Sequence, residues 1–408
     1  MTTIPVPPVP SFPPAELTLT SVKGLRAAGV KAGIKASGNP DVGLLVADVA
    51  MAAAGVFTRN HFAAAPVLLS RAHLAKSGGV VRAVVVNSGN ANACTGAQGD
   101  KDAKEMCERV AAKVGCPVEQ VLVCSTGVIG RPMPMPVMES GIPRAAQELA
   151  HGPEALERAA RAILTTDTRI KVCTHKLGEY SLTGFAKGAA MIGPNMATML
   201  AFVLTDAPVD AADLAAIAPV AADCSFNCIS VEGHTSTNDT LLILANGAGP
   251  KLTGGALDQF RRGVIEVCAE LARAMAADAE GASHLVRIDV EGARTDAEAR
   301  TIAKTVAESA LVKTALFGAD PNWGRIVSAA GYAGVPFEER ELSLWLGEFL
   351  LYDKGTPLPF DAAAVSGYMK ANRDLAMRLV FTHGFGRCTF YTCDLTYDYV
   401  RLNADYTT

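Results

Sequence analysis

Two hydrophobic periods alternate along this chain. Residues 42–48, 80–86, 118–124, 199–205, 240–245 and 285–290 are short apolar or alternating runs rich in Val, Leu and Ile, which predict strands. Residues 52–58 read as a bend into a further strand. Met106, Val110 and Val114 lie on one stripe of a helix capped by Asp100 and stopped by Gly115. The cleanest helical stripe is Leu257, Phe260, Val264, Val267, Leu271 and Met275. Helices are also predicted over 153–164, over 210–222 with Pro219 bending or ending it, and over 297–316. The tail alternates at 375–381 and again from 389, as a strand running on to residue 400. Residues 87–92 carry loop chemistry, and 131–136 is a stiff, proline-rich connector. Helices and strands interleave without regular βαβ units. The pattern predicts a layered α/β (α+β) sandwich, not a doubly wound nucleotide fold.

Half of the 408 residues are apolar, enough for a sizeable core, and a net charge of −4 gives no general attraction to nucleic acid or an anionic membrane. Ten cysteines in so long a chain are no disulfide scaffold, which points to a reduced, cytoplasmic protein. Residues 1–20 read as a flexible Pro-rich arm, with neither the basic nor the apolar region of a secretory signal. Residues 188–205 carry no charge, but Gly193, Pro194 and Asn195 interrupt them, so they are no membrane span.

The common catalytic motifs are missing. There is no Gly-x-Gly-x-x-Gly, phosphate loop, Gly-x-Ser-x-Gly elbow, His-Glu-x-x-His or Cys-x-x-Cys. Thr198 stands where a loop enters the buried strand 199–205. It reads either as a core threonine or as a nucleophile. Cleavage of the Ala197–Thr198 bond would put a free α-amine beside its Oγ, giving nucleophile and base in one residue. Ser125-Thr126-Gly127 is an ordinary strand-ending turn or a pair of donors aimed at one oxygen. Lys187 is a solvated loop end or a cation facing a carboxylate. Asp278 and Glu280 close the long helix with charges that oppose its dipole, so a cation is expected nearby.

Lys187-Gly-Ala-Ala-Met-Ile-Gly-Pro-Asn-Met-Ala197-Thr198-Met-Leu200 resembles the self-cleavage segment of the ornithine acetyltransferases, the glutamate N-acetyltransferases of arginine biosynthesis. Ser125-Thr-Gly-Val-Ile-Gly130, Thr165-Thr-Asp-Thr168, Glu280-Gly281 and Asn403-Ala-Asp-Tyr406 are similar to further blocks of that family, in order, from about Gly29 to Thr408. The resemblance implies an αββα fold, cut into residues 21–197 and 198–408, which stay associated as a heterotetramer or larger. It implies Thr198 as nucleophile after cleavage at Ala197–Thr198, and Thr126 and Gly127 as oxyanion hole. Thr165 (with Thr166 close behind), Lys187, Thr198, Glu280, Asn403 and Thr408 would meet substrate. It implies acetyl transfer from N-acetylornithine to glutamate with no metal or organic cofactor, and acetyl-CoA as a further co-substrate in some members. Asn87 to Gly96, Ser236 to Thr240 and Asp320 to Ile326 match scaffold blocks.

Glu232-Gly-His234 and Ser283-His284 depart from the family pattern, near Glu280. Two other classes stay open: an amide-cleaving hydrolase on the same self-cut fold, and an uncut, non-catalytic relative.

Overall fold

The computed structural model describes residues 19–193 and 199–405. Ala197, Thr198, Thr408 and nearly all of the Pro-rich arm lie outside the described residues. The first part of the chain runs β1 (Leu25–Val30), β2 (Val42–Phe57), α1 (Ala65–Lys76), β3 (Val80–Asn90), α2 (Gly96–Val114), β4 (Val121–Val128), α3 (Met135–Gln147) and α4 (Pro153–Ala162). It continues through β5 (Lys171–Leu177), β6 (Tyr180–Lys187), β7 (Leu200–Thr205), α5 (Ala211–Asp223), β8 (Thr240–Ala245) and α6 (Gly254–Ala277). The remainder is β9 (Leu285–Ala293), α7 (Asp296–Glu308), α8 (Ala310–Phe317), α9 (Trp323–Gly331), β10 (Ser343–Leu346), β11 (Phe349–Asp353), β12 (Thr356–Pro357), α10 (Ala362–Ala371), β13 (Asp374–Val380), β14 (Gly386–Cys393) and α11 (Tyr397–Asp405).

Strands β4-β3-β2-β8-β7-β6-β5 follow one another, with β1 paired to β2. What the hydrophobic pattern splits into two strands is one bent strand, β2. Its first half pairs with β1 and β3, its register slips between Val46 and Met51, and its second half pairs with β8. The bend lets the two halves of the sheet face each other. Period-two alternation then sorts the side chains. Val84 and Val86 point inward, into a cluster with Phe185, Phe202 and Leu244, and the two phenylalanine rings stack 5.0 Å apart. Ala83 and Val85 point outward onto Met106 and Val110 of α2 and Met138 and Ile142 of α3. Ala201, Val203 and Ile243 point the other way, onto Leu214 of α5 and Val264 and Leu271 of α6. The layers are helix, sheet, sheet, helix.

A second sheet, β12-β11-β10-β13-β9-β14, has its own core with Ile302, Val306, Ile326 and Met369. Its strand β14 touches the first body through a bridge from Tyr391 to Ile229.

Several boundaries differ from the sequence expectation. β3 runs through the expected loop to Asn90, because Ser88 and Gly89 keep pairing with Thr126 and Gly127. α2 begins at Gly96 rather than Asp100, and ends as predicted at left-handed Gly115. The connector 131–136 passes into helix α3 at Met135, since a proline at the start of a helix gives up no hydrogen bond. Pro219 does not end α5. Ser309 is extended and caps α8, splitting the helix expected over 297–316. After Cys393 the chain leaves the sheet and forms α11 instead of continuing as a strand. Among the described residues, no helix is long and apolar enough to cross a membrane.

Candidate active site

Antiparallel pairing sets Lys187, the last residue of β6, against Leu200 at the start of β7, and parallel pairing sets Leu200 beside Thr240 of β8. Lys187, Met199 and Asp239 therefore gather at one edge. Lys187 is a buried cation, only 2% exposed, not a solvated loop end. Its Nζ donates to Thr126 Oγ1 across the sandwich at 3.1 Å. Burial lowers the Lys187 pKa, opposed by the carboxylates of Asp167, Asp239 and Glu280 around it. The backbone amide of Met199, the residue after Thr198, donates to Asp239 Oδ1 at 3.0 Å. Burial holds the Asp239 carboxyl well above the usual carboxylate range, although that amide favours the charged form.

Thr126 and Gly127 end β4 against β3. Gly127 has φ +132°, and a Cβ there would lie 2.3 Å from the Gly89 carbonyl carbon, so only glycine fits this crossing. The segment is tied from beneath. Ser125 Oγ donates to Asn87 Oδ1 at 2.6 Å, and Asn238 Nδ2 donates to the carbonyls of Ala91 and Ser125. The Asn87 and Ser236 blocks converge here, as scaffold. The Asp320 block does not; its Asn322 caps α9 in the second sheet's layer.

Thr165 is half-buried, and its amide donates to Asp167 Oδ2 at 3.1 Å. Asp167 also accepts from the Gly188 amide at 2.7 Å and pairs with buried Lys171, which in turn pairs with Asp278 at 2.5 Å. Lys171 is the cation that the acidic end of α6 calls for. Burial works to raise the Asp167 pKa, but Lys187 and Lys171 outweigh it and hold the carboxyl at about 2. Next in line, Glu280 is fixed by its amide to Ala189 O at 2.9 Å, and Asn403 Nδ2 donates to its Oε2 at 3.3 Å. α11 sits on this turn closely enough that Gly281, with φ +66°, lies against the Tyr399 backbone. Thr126, Gly127, Thr165, Lys187, Glu280 and Asn403 are thus linked into one region. Asp167, Lys171 and Asp239 were not singled out from sequence, where a buried charge looks like any other.

Of the departures, Ser283 and His284 both turn to buried Asp394, His284 Nδ1 lying 2.9 Å from its Oδ2. Glu232 is different. Its amide donates to Ile192 O at 3.3 Å, and burial pushes its carboxyl up to about 7 from an ordinary 4.5. The folded chain holds that proton more tightly than the unfolded chain. The resulting stability is full below about pH 4.5 and is lost as pH rises to about 7. Glu232→Gln should therefore match the parent at low pH and exceed it by about 3 kcal/mol above pH 7, read as the gap between their melting curves across that range.

The profile of the ArgJ family matches residues 26–408. The chain is 46% identical over 409 residues to "Arginine biosynthesis bifunctional protein ArgJ 1" of a Nostoc species, covering 96% of this chain and 98% of that one. It is 45% identical over 395 residues to the ArgJ protein of Rhodopirellula baltica, covering 95% and 96%. Among solved structures, the ArgJ protein of Bacillus halodurans is 35% identical and covers 50% of this chain and 98% of that chain, with a TM-score of 0.48. A profile match along nearly the whole chain and relatives this similar establish the family: the chain belongs to the ArgJ family, the self-cleaving ornithine acetyltransferases of arginine biosynthesis.

Proposed function

We propose that the chain moves acetyl from N2-acetyl-L-ornithine to L-glutamate through an acetyl ester on Thr198. Thr198 Oγ attacks the Ala197 carbonyl and the acyl group shifts from nitrogen to oxygen, which frees the Thr198 amine; water then hydrolyses the ester, restoring the Oγ hydroxyl and leaving Ala197 with a carboxylate. That amine then takes the Oγ proton while Oγ attacks the acetyl carbonyl of the donor. Ornithine leaves with the proton, and glutamate's amine collects the acetyl group from the ester. Thr126 Oγ–H and the Gly127 N–H receive the oxyanion in both halves. Lys187, Thr165, Glu280, Asn403 and Thr408 hold the amino-acid ends of the substrates, and Glu280 takes the donor's ammonium.

The observation that carries this reading is the buried Lys187–Thr126 hydrogen bond. Because Lys187 can only donate, it occupies a lone pair of Thr126 and leaves the hydroxyl hydrogen free for an oxyanion. Thr126→Val is expected to lower kcat by about 10²–10³-fold with the chain still folded, measured as acetylornithine-dependent acetylglutamate formation.

Strand order supports two products that stay together. β7 and β8 follow the cut, yet lie between β6 and β2, which precede it. The segments 21–197 and 198–408 thus both contribute strands to one sheet. A cytoplasmic heterotetramer or larger assembly, and acetyl-CoA as a second donor, belong to the same reading.

Single-turnover chemistry tests it. With acetylornithine alone, one ornithine per site should appear in a burst, and the 198–408 chain should gain one acetyl group on its N-terminal threonine. Glutamate should then discharge it. Steady ornithine release without glutamate would instead mark a hydrolase.

A further inference from the structure

We propose that Cys173, His175 and Glu270 form a binding site for a thiophilic divalent cation, best matched by Zn²⁺, which pins edge strand β5 to helix α6. The site lies apart from the acetyl-transfer machinery, and nothing in the proposed reaction uses it.

Two periods build it. On β5, period two puts Lys171, Cys173 and His175 on one face. On α6, Glu266 and Glu270 are one turn apart and face that strand. Cys173 Sγ lies 2.8 Å from Glu270 Oε2, and His175 Nε2 lies 2.8 Å from Glu270 Oε1. One sulfur, one nitrogen and one carboxylate oxygen all lie within 4.8 Å of one another. The second ring nitrogen of His175, Nδ1, is 3.5 Å from Glu266 Oε2. A carboxylate behind the ring is the arrangement that fixes the tautomer of a metal-bound histidine.

The donor set selects the ion. Thiolate, imidazole and carboxylate suit Zn²⁺ or Co²⁺, whereas Mg²⁺ and Ca²⁺ need a shell of oxygens. With metal–ligand distances of about 2.0–2.3 Å, a modest retreat of the Glu270 side chain makes room. Cys173 is buried, but the side chains of His175 and Glu270 are 23% and 32% exposed, which leaves an entry path and a fourth position for water. On binding, the Cys173 thiol gives its proton to solvent and the thiolate bonds the ion. His175 binds through the Nε2 lone pair and keeps its proton on Nδ1, towards Glu266. Thiolate and Glu270 neutralise the ion's two charges. Lys171, which pairs with Asp167 and Asp278, sits two residues along the same strand face, so the ion would also steady the strand that carries it.

The test uses the full-length, self-processed protein without a histidine tag, stripped by chelator and titrated with Co²⁺. The expected result is one Co²⁺ per chain with a near-ultraviolet thiolate-to-cobalt charge-transfer band. Zn²⁺ should displace it and raise the melting temperature by several degrees. Cys173→Ser should abolish the band, and Glu270→Gln, which keeps the thiol, should weaken Zn²⁺ binding at least tenfold. Cys228→Ser should change neither. A parent protein with no charge-transfer band overturns the proposal. So do a band and a Zn²⁺ shift that persist unchanged in Cys173→Ser or, if that variant does not fold, in Glu270→Gln.

Discussion

Thr198→Ala is expected to leave a single chain of 42.5 kDa and to reduce acetyl transfer by about 10⁴-fold or more. Both effects come from the same atom. Without Oγ nothing attacks the Ala197 carbonyl, so the bond stays whole and the α-amine stays an amide with no basicity. Adding the two cut segments from separate genes would restore the amine but not the nucleophile. Thr198→Ser keeps a hydroxyl next to the scissile carbonyl and should still cut itself. A denaturing gel and a transfer assay on the same preparations read both outcomes. Two fragments from Thr198→Ala, ending and starting at residues 197 and 198, would remove Thr198 from the mechanism.

Much of the sandwich is legible because its central strands are apolar on both faces. Residues 199–205 and 240–245 are strands whatever surrounds them, and β7 and β8 are buried throughout. The hairpin β5–β6 is not legible in that way. Lys171, His175 and Lys176 make 171–177 look like a polar surface segment, while in the fold Lys171 is buried in ion pairs and His175 lies against Glu270. Charges that neutralise one another across the structure are invisible to a pattern read along it. The tail fails for the opposite reason. Leu395, Tyr397 and Tyr399 suggest alternation, but Tyr397 and Val400 are exposed and, among the described residues, nothing pairs with that backbone as a strand, so local helix wins, with Arg401 and Asp398 one turn apart. In the candidate site, Thr126, Gly127, Lys187 and Glu280 stand out because their motifs are contiguous. Asp239 needs the parallel β7–β8 pairing to come beside Met199.

Lys171→Met should be the most destabilising substitution in that neighbourhood. Its side chain is fully buried and pairs with Asp167 and Asp278, whose own side chains are 0% and 5% exposed. Thr168 binds Asp278 through both its amide, at 3.1 Å, and its hydroxyl. Asp167 also has Lys187 beside it, whereas Asp278 otherwise has, among the described residues, only the Arg169 cation, half-exposed and 4.0 Å away. Removing Lys171 takes the close partner from two buried carboxylates and leaves Asp278 with only the more distant Arg169, which costs about 3–5 kcal/mol. Methionine fills the volume, so the loss reports charge rather than a cavity. The pH dependence has a definite sign. Asp167 is held at about 2 in the parent, so its stabilising contribution is present above its ordinary 3.8 and fades as pH falls towards 2. Without Lys171 that contribution shrinks, and the gap between parent and variant should be widest at neutral pH and close in acid. Lys171→Met combined with Asp278→Asn removes one charge of each sign and should recover a substantial part of the loss, as expected when the penalty is an orphaned charge. Urea midpoints for the three proteins at neutral and acid pH decide it. A Lys171→Met loss that is the same at both pH values, or that the second substitution deepens, would mean that packing rather than charge holds β5 against the end of α6.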